Sequence, residues 1–265
     1  MYQDKESTAI DTGIGRSVDL IALISKGRVS LFALSENQQL EYHKDFSFPS
    51  DSMEMVNEMD RLDIRRKITI SSAVDFTFVP SSLSEEGDHR SWLLDLPGKK
   101  AGDIVLKDRI PAMDMNVFFS IPASEYEFFS QISPHQKIEH LAAVLIKSAS
   151  DLSFASVWSK MVCFFLEGKV FVMAYKNNEV RLANFYHYEL PADALYYILW
   201  ARKEVFESEE VPVFVNGFIH NKSKLFKELK SYIKEIHLGC KFNQGKIDSD
   251  EKGFDRHSFE LLLGS

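Results

Sequence analysis

The residues near the start of the chain with the clearest chemical signature are Asp11-Thr12-Gly13. An aspartate in such a turn is suited to acid-base catalysis in an aspartic protease, or to holding a metal beside a phosphate. The protease needs a second Asp-Thr-Gly, and the chain contains only this one. A phosphate-binding turn needs an apolar strand before it, and Thr8-Ala9-Ile10 is too short and too polar. We therefore expect residues 1–17 to form a flexible tail.

The histidines and cysteines lack the spacing of a metal site or of an activated nucleophile. His135 and His140 are five residues apart, which places them on different faces of a helix. Cys163, within an apolar run, reads as a buried thiol, and two cysteines are too few for a disulfide framework. The chain has no Walker loop, Gly-x-Ser-x-Gly or Cys-x-x-Cys motif. We expect no metal ligand and no catalytic residue, and this cysteine usage favours a cytoplasmic protein.

The composition is that of an ordinary globular protein. Of the 265 residues, 45% are hydrophobic and 26% are charged, which suits two modest domains. The formal net charge of −8 argues against nucleic acid or an anionic membrane surface as a partner. The polar start Met1–Glu6 is unlike a signal peptide, and no apolar run approaches the ~18 residues that span a bilayer. We expect no membrane insertion.

The elements that would position a site are repeated within the chain. Residues 21–34 and 162–175 each read as an apolar strand, a turn ending in glycine, a basic residue and a second apolar strand. Gly27 and Gly168 supply the positive φ that a tight hairpin requires. Two unrelated hairpins can look alike, but the elements that follow agree in order and in length. We therefore interpret the pattern as an internal duplication.

Each copy continues in the same way. Alternating apolar residues predict a third strand, an amphipathic helix follows, and a buried strand returns. The β-β-β-α-β order resembles the ribonuclease H-like unit, in which three antiparallel strands lead through a helix to a parallel strand. The third strands run over Leu40–Phe48 and Val180–Tyr188, the helices begin near Asp51 and at Pro191, and the returning strands are Lys67–Ile70 and Pro212–Val215.

Further elements are predicted outside the repeated core. They comprise strands at residues 76–80, 103–110 and 115–121, helices at residues 123–132 and 140–150, and a last helix over Asn221–Ile236. With the repeat, this predicts an α/β protein of two lobes, one over residues 1–150 and the other over residues 151–265.

Particular segments then resemble a known family. Three parts of the chain resemble a bacterial family of unknown function that has an actin-like ATPase fold. These parts are the paired hairpins, the segment at residues 76–83 and the segment at residues 183–197. The same segments are more distantly similar to PilM-type pilus-assembly proteins. The resemblance covers the chain from about Leu20 onward, and it implies an actin-like, two-lobed architecture of duplicated ribonuclease H-like units.

The resemblance also implies a place for a nucleotide between the lobes. Actin-like ATPases hold the phosphates against backbone N–H groups of two hairpin turns, with an aspartate at the end of each first strand for Mg²⁺. A glycine-rich turn after the returning strand of the second copy receives the adenosine. The matching positions here are Lys26, Gly27, Gly168 and Lys169 at the turns, and Asn216 and Gly217 at the adenosine position.

This sequence departs from that pattern. Neither Ser25-Lys26-Gly27 nor Leu166-Glu167-Gly168 carries the aspartate, and Glu167 adds a like charge beside a triphosphate. The turn cations Lys26, Arg28 and Lys169 are either anion ligands or solvated charges. One glycine, Gly217, stands where working enzymes usually have two.

The departures favour a non-catalytic scaffold or adaptor that binds another protein, with no bound cofactor. The alternative is an ATPase or kinase that binds Mg-ATP through a different carboxylate. That carboxylate would be Asp11 or an unrecognised one such as Asp19 or Asp193.

Overall fold

The structure is a computed structural model that describes most of the chain. It describes residues 17–25, 27–36, 40–73, 75–84, 92–93, 102–133, 136–151, 158–239 and 262. The predicted tail lies outside these residues, except for Ser17. The chain divides into two compact units, of which the first comprises Met1–Arg109 with Asn116–Leu141 and the second comprises Ile110–Met115 with Ala142–Ser265. The lobe boundary at residues 150 and 151 stays a prediction.

The first unit contains a five-stranded sheet of order β3-β2-β1-β4-β8. The strands β1, β2 and β3 are antiparallel neighbours, whereas β4 is parallel to both β1 and β8. Helix α1 makes the crossover from β3 to β4, as predicted. The elements are β1 (Val18–Ser25), β2 (Arg28–Leu34), β3 (Leu40–Ser47), α1 (Ser52–Asp60), β4 (Ile64–Ser71) and β8 (Ile138–His140).

The second unit repeats this arrangement. Its sheet has the order β11-β10-β9-β12-β13, with the same sequence of antiparallel and parallel neighbours. The predicted β-β-β-α-β order is thus confirmed in both copies. The elements are β9 (Lys160–Leu166), β10 (Lys169–Lys176), β11 (Glu179–His187), α4 (Pro191–Phe206), β12 (Val213–Gly217) and β13 (Ile236–Leu238).

The remaining strands and helices lie within one residue of their predicted bounds, except for the last helix, which is shorter than predicted at both ends. The three strands between the copies form a sheet of order β5-β7-β6. The last helix was predicted too long: it starts after Ser223, whose hydroxyl accepts the Phe226 N–H at 3.2 Å, and it ends at Tyr232. Further along, Ile236–Leu238 form β13, because they pair with β12. The elements are β5 (Phe76–Pro80), β6 (Ile104–Ile110), β7 (Met115–Ile121), α2 (Ala123–Ile132), α3 (Leu141–Asp151) and α5 (Lys224–Tyr232).

Alternate residues of each sheet face a helix-covered core. In the second unit this core joins Cys163 and Phe165 of β9 to Ile198 of α4 and Leu229 of α5. Cys163 is fully buried, which confirms the predicted buried thiol, and burial raises the pKa of its side chain. In the part of the chain that the structure describes, no helix combines the length and apolar character needed to cross a membrane.

An ion pair between a buried carboxylate of β6 and an exposed lysine near β8 links these two parts of the first unit. The Asp108 carboxylate is fully buried and contacts the Lys137 ammonium and the His140 backbone N–H. Burial raises the pKa of Asp108, and the two contacts oppose that rise. The His140 ring lies between Phe76 and Phe119 and contacts the Ala73 carbonyl at 2.9 Å. This cluster was not predicted, because its members are far apart along the chain.

We predict that Asp108→Ala lowers the free energy of unfolding by about 1–3 kcal/mol, because it leaves the buried His140 N–H without its acceptor. Asp108→Asn keeps an acceptor oxygen and should cost less. Urea denaturation of both variants measures the difference. Equal stability of wild type and Asp108→Ala would contradict the assigned role.

Candidate nucleotide site

Both hairpin turns consist of two residues. Ser25 pairs with Arg28 across the first turn, and Leu166 pairs with Lys169 across the second. The second turn residue is glycine in each, with φ of +76° at Gly27 and +67° at Gly168. Lys26, the other residue of the first turn, lies outside the described residues. The prediction that glycine supplies the positive φ is confirmed.

The turn glycines also anchor the third strand of each copy. The Gly27 carbonyl accepts the Phe48 N–H at 2.8 Å, and the Gly168 carbonyl accepts the Tyr188 N–H at 3.0 Å. A Cβ on either glycine would meet only the carbonyl oxygen of that same partner, at 3.8 and 3.9 Å. The backbone conformation, rather than crowding, therefore selects glycine at these two turns.

The N–H of the first turn faces a carboxylate of the chain itself. The Gly27 N–H donates to Glu125 Oε1 at 3.4 Å, a long and weak hydrogen bond. Glu125 lies in the first turn of α2 and is 5% exposed. Burial raises the pKa of Glu125, the Gly27 N–H opposes that rise, and Asp103 adds to it. The N–H that this turn would offer to a phosphate therefore already faces a carboxylate of the chain.

The cations beside the turns have different surroundings. Arg28 is half-exposed and forms an ion pair with Asp45 at 3.8 Å, so it is a solvated charge. Lys169 is 6% exposed, and its Nζ lies 5.3 Å from the centre of the Phe185 ring. Burial lowers the pKa of Lys169 to about 8. The interpretation of a solvated cation is therefore wrong for Lys169.

The candidate adenosine residues lie at the end of β12. The Asn216 side chain is fully buried, and Gly217 has a φ of +83°. A Cβ on Gly217 would lie 2.1 Å from the Phe165 carbonyl oxygen and 2.7 Å from the Phe165 nitrogen. The next residue, Phe218, donates its N–H to that same carbonyl at 2.9 Å. The close approach of β12 to β9 accounts for this glycine without a ligand.

The alternative metal carboxylates in the described part of the chain already have partners within it. Asp19 forms a two-point ion pair with Arg65, at 3.0 Å to Nε and 2.7 Å to Nη2. Asp193 Oδ2 accepts the N–H groups of Glu189 and Leu190, at 3.1 and 2.9 Å. Asp11 lies outside the described residues. Among the described residues, no group of three or more His, Cys, Asp or Glu side chains is placed to hold a metal ion.

The residues of the first turn do not fit a Mg-triphosphate. A phosphate accepting the Gly27 N–H would meet the Glu125 carboxylate, and two such charges ~4 Å apart repel by about 4 kcal/mol at the effective dielectric of a protein surface. Sequence reasoning missed Glu125. Its position in the first turn of a predicted helix is an ordinary place for an acidic residue, and only the fold brings it to Gly27.

The repeated sheets and their connections define the class of protein, which is that of the actin-like ATPase fold. A protein of unknown function from Bacteroides thetaiotaomicron, described as having this fold, superposes with a TM-score of 0.68 at 20% identity. The match covers 86% of this chain and 93% of that one.

Within that class, the chain belongs to the family described as protein of unknown function (DUF3822), whose model matches residues 66–236. Weaker likenesses include a PilM–PilN type IV pilus biogenesis complex, with TM-score 0.49, 12% identity and coverage of 94% and 98% of the two chains. Another is the ethanolamine utilization protein EutJ from Carboxydothermus hydrogenoformans, with TM-score 0.40, 8% identity and coverage of 85% of each chain. No curated protein matches the sequence.

We predict that Gly217→Ala lowers the free energy of unfolding by about 3 kcal/mol or more, because the new Cβ combines a backbone clash with an unfavourable φ. Gly168→Ala is the matched control. It has a similar φ and no close contact, so it should cost about 1–2 kcal/mol. Chemical denaturation of the two variants compares them. Equal losses would show that crowding at Phe165 does not select Gly217.

A second prediction concerns the buried Lys169. Its pKa falls from the ordinary 10.5 to about 8 on folding, so between these values the unfolded chain binds a proton that the folded chain has released. Wild-type stability should therefore rise with pH across this window, relative to Lys169→Met, by up to about 3 kcal/mol. Below pH 8 the burial penalty is fully present, and Lys169→Met should be the more stable protein.

Urea denaturation at several pH values between 7 and ~10.5 follows this difference. Lys227→Met, which removes an exposed lysine from α5, controls for the loss of a charge. A stability difference between wild type and Lys169→Met that stays constant over the window would contradict the prediction.

Proposed function

We propose that this chain is a non-catalytic actin-like scaffold or adaptor that acts by binding another protein, with a degenerate nucleotide site. The observation that carries the proposal is the contact between the Gly27 N–H and the buried Glu125 carboxylate. An actin-like ATPase uses this turn to bind phosphate, and a fixed carboxylate there opposes any phosphate.

The chemistry of the two turns supports the same conclusion. Ser25 and Leu166 stand at the ends of the first strands, where an ATPase places its metal-binding aspartates. The Leu166 side chain is buried and has no group that binds a metal or its waters. The second turn adds the carboxylate of Glu167. Without the metal, the charge that develops during phosphoryl transfer has no counter-ion.

Two further features belong to the proposal. The matching topology of the two sheets supports an origin by duplication. A cytoplasmic location follows from the cysteine usage. The competing function is a Mg-ATP-dependent ATPase or kinase. Because Asp19 and Asp193 have structural roles, it would need Asp11 or another, unrecognised carboxylate as its metal ligand.

We expect ATP or ADP, with or without Mg²⁺, to leave the melting temperature of the protein unchanged at millimolar concentrations. A nucleotide present at 100 times its dissociation constant would add about 2.7 kcal/mol, a rise of several degrees for a chain of this size. A thermal-shift assay measures it. A Mg²⁺-dependent rise in wild type would overturn the proposal in favour of the ATPase, and its loss in Asp11→Asn would then identify Asp11 as the metal ligand.

A variant of the first turn sharpens this assay. Glu125→Gln removes the opposing charge, and it should make the turn more receptive to inorganic phosphate, seen as a small rise in melting temperature on adding phosphate. Glu127→Gln, on the exposed face of the same helix, is the matched control. An equal response of the two variants to phosphate would contradict the role given to Glu125.

A further inference from the structure

Helix α4 presents an exposed stripe of aromatic and charged residues. Asp193, Tyr196, Trp200 and Lys203 follow one another at intervals of three, four and three residues, which places them on one face. Tyr196 is 62% exposed and Trp200 is 41% exposed. The opposite face carries the buried Ala194, Ile198 and Ala201. Large aromatic groups on the outer face of a helix mark an interaction surface.

The other copy of the repeat provides an internal comparison. Aligning α1 and α4 at their N-caps, Asp51 and Leu190, places the buried Met55 opposite Ala194 and the buried Met59 opposite Ile198. By the same alignment Asn57, Glu58 and Arg61 of the first unit correspond to Tyr196, Tyr197 and Trp200 of the second. One scaffold therefore carries a polar face in one copy and an aromatic face in the other.

The polar face of α1 is satisfied within its own unit. Lys44 of β3 contacts Glu54 at 2.8 Å and Glu58 at 3.1 Å, and Glu58 also contacts Arg61 at 3.5 Å. Counting back from Phe48 and Tyr188, which occupy equivalent positions after the third strand, Lys44 corresponds to Asn184 in β11. Because Asn184 is uncharged, the ion pairs that Lys44 makes with α1 have no equivalent at this position of β11.

The aromatic side chains of α4 pack against a tyrosine of the neighbouring strand β11. Tyr186 of β11 stacks on Tyr197 with ring centres 4.9 Å apart, and the Tyr186 ring lies 6.3 Å from that of Trp200. Tyr196 and Tyr197 are 5.5 Å apart. Aromatic side chains supported in this way lose little conformational entropy on binding, which favours them as anchors.

The charges on the stripe identify the partner. Asp193 lies in the first turn of α4 and Lys203 lies in the last. An antiparallel copy of the same helix, related by a two-fold axis near Ile198, places Asp193 opposite Lys203 of the other copy and Tyr196 opposite Trp200. Within the described part of the chain, Lys203 has no ion-pair partner, and Asp193 uses Oδ2 for its helix cap. The antiparallel helix dipoles add to this match.

We propose that the α4 stripe binds a second copy of this chain, forming a two-fold dimer through antiparallel α4 helices. The two-fold axis forms the Asp193–Lys203 pair twice, once on each side, and it brings the aromatic residues together at the centre. A helix pair of this length gives an interface at the small end of specific contacts, so we expect a dissociation constant on the order of 10 μM. This inference does not depend on the nucleotide site.

Analytical ultracentrifugation of the full chain, from about 1 to 300 μM, tests the proposal. Wild type should pass from monomer to dimer over this range. The double variant Tyr196→Asn with Trp200→Arg transfers to α4 the residue types of Asn57 and Arg61, and it should stay monomeric throughout. Circular dichroism and the melting temperature check that it folds.

A charge variant provides a second arm. In the dimer, Lys203→Glu places a glutamate opposite Asp193 at two symmetric positions. The repulsion between these carboxylates should weaken dimerisation roughly tenfold. Lys227→Glu makes the same charge change on the exposed face of α5 and should dimerise like wild type. The proposal fails if wild type stays monomeric over the whole range, or if Lys203→Glu and the folded double variant dimerise as strongly as wild type.

Discussion

A glycine with positive φ at the tip of each hairpin is the constraint from which the rest of both units follows. It reverses the chain in two residues, which sets the register of the first two strands. Its carbonyl then accepts the N–H that follows the third strand, so the same residue positions three strands at once. In the first unit its N–H reaches Glu125. The turn thus fixes the arrangement of the strands, and it is also the place where a phosphate-binding protein of this fold would hold its ligand.

The two units share the same backbone frame and differ in their surfaces. The returning strand makes the same contact in each: Ser72 donates its N–H to Ile24, and Phe218 donates to Phe165, at 2.8 and 2.9 Å. The outer faces differ, because Lys44 and its carboxylates cover one sheet edge whereas aromatic residues of α4 and β11 cover the other. Backbone pairing sets the frame, and exposed side chains are free to change.

Much of the frame was predictable from the sequence, since strand alternation and turn glycines are local signals. The hairpins, the crossover helices and the returning strands all occur where their patterns placed them. The three-residue strand β8 was missed because so short a segment has no readable period. The last helix was drawn too long because Ile233 and Ile236 continue its apolar stripe, although Ile236 instead pairs in β13.

The candidate site was less predictable, because its decisive contacts join residues far apart in the chain. Glycine at position 217 suggested a ligand, yet the backbone of Phe165 explains it. Lys169 looked like an exposed turn cation, but it is buried and its Nζ lies against the Phe185 ring. Glu125 is 98 residues from Gly27 along the chain, and no local pattern links the two.

The most direct test of the account follows the Gly27 amide itself. In protein labelled with ¹⁵N-glycine, the Gly27 amide signal should shift as the pH is lowered, because protonation of Glu125 removes the charge that accepts its N–H. Burial raises the pKa of Glu125, so the midpoint should lie above the ordinary value of 4.5. The shift should be absent in Glu125→Gln. A Gly27 signal that does not respond to pH, or that responds equally in Glu125→Gln, would show that the turn is not occupied by this carboxylate.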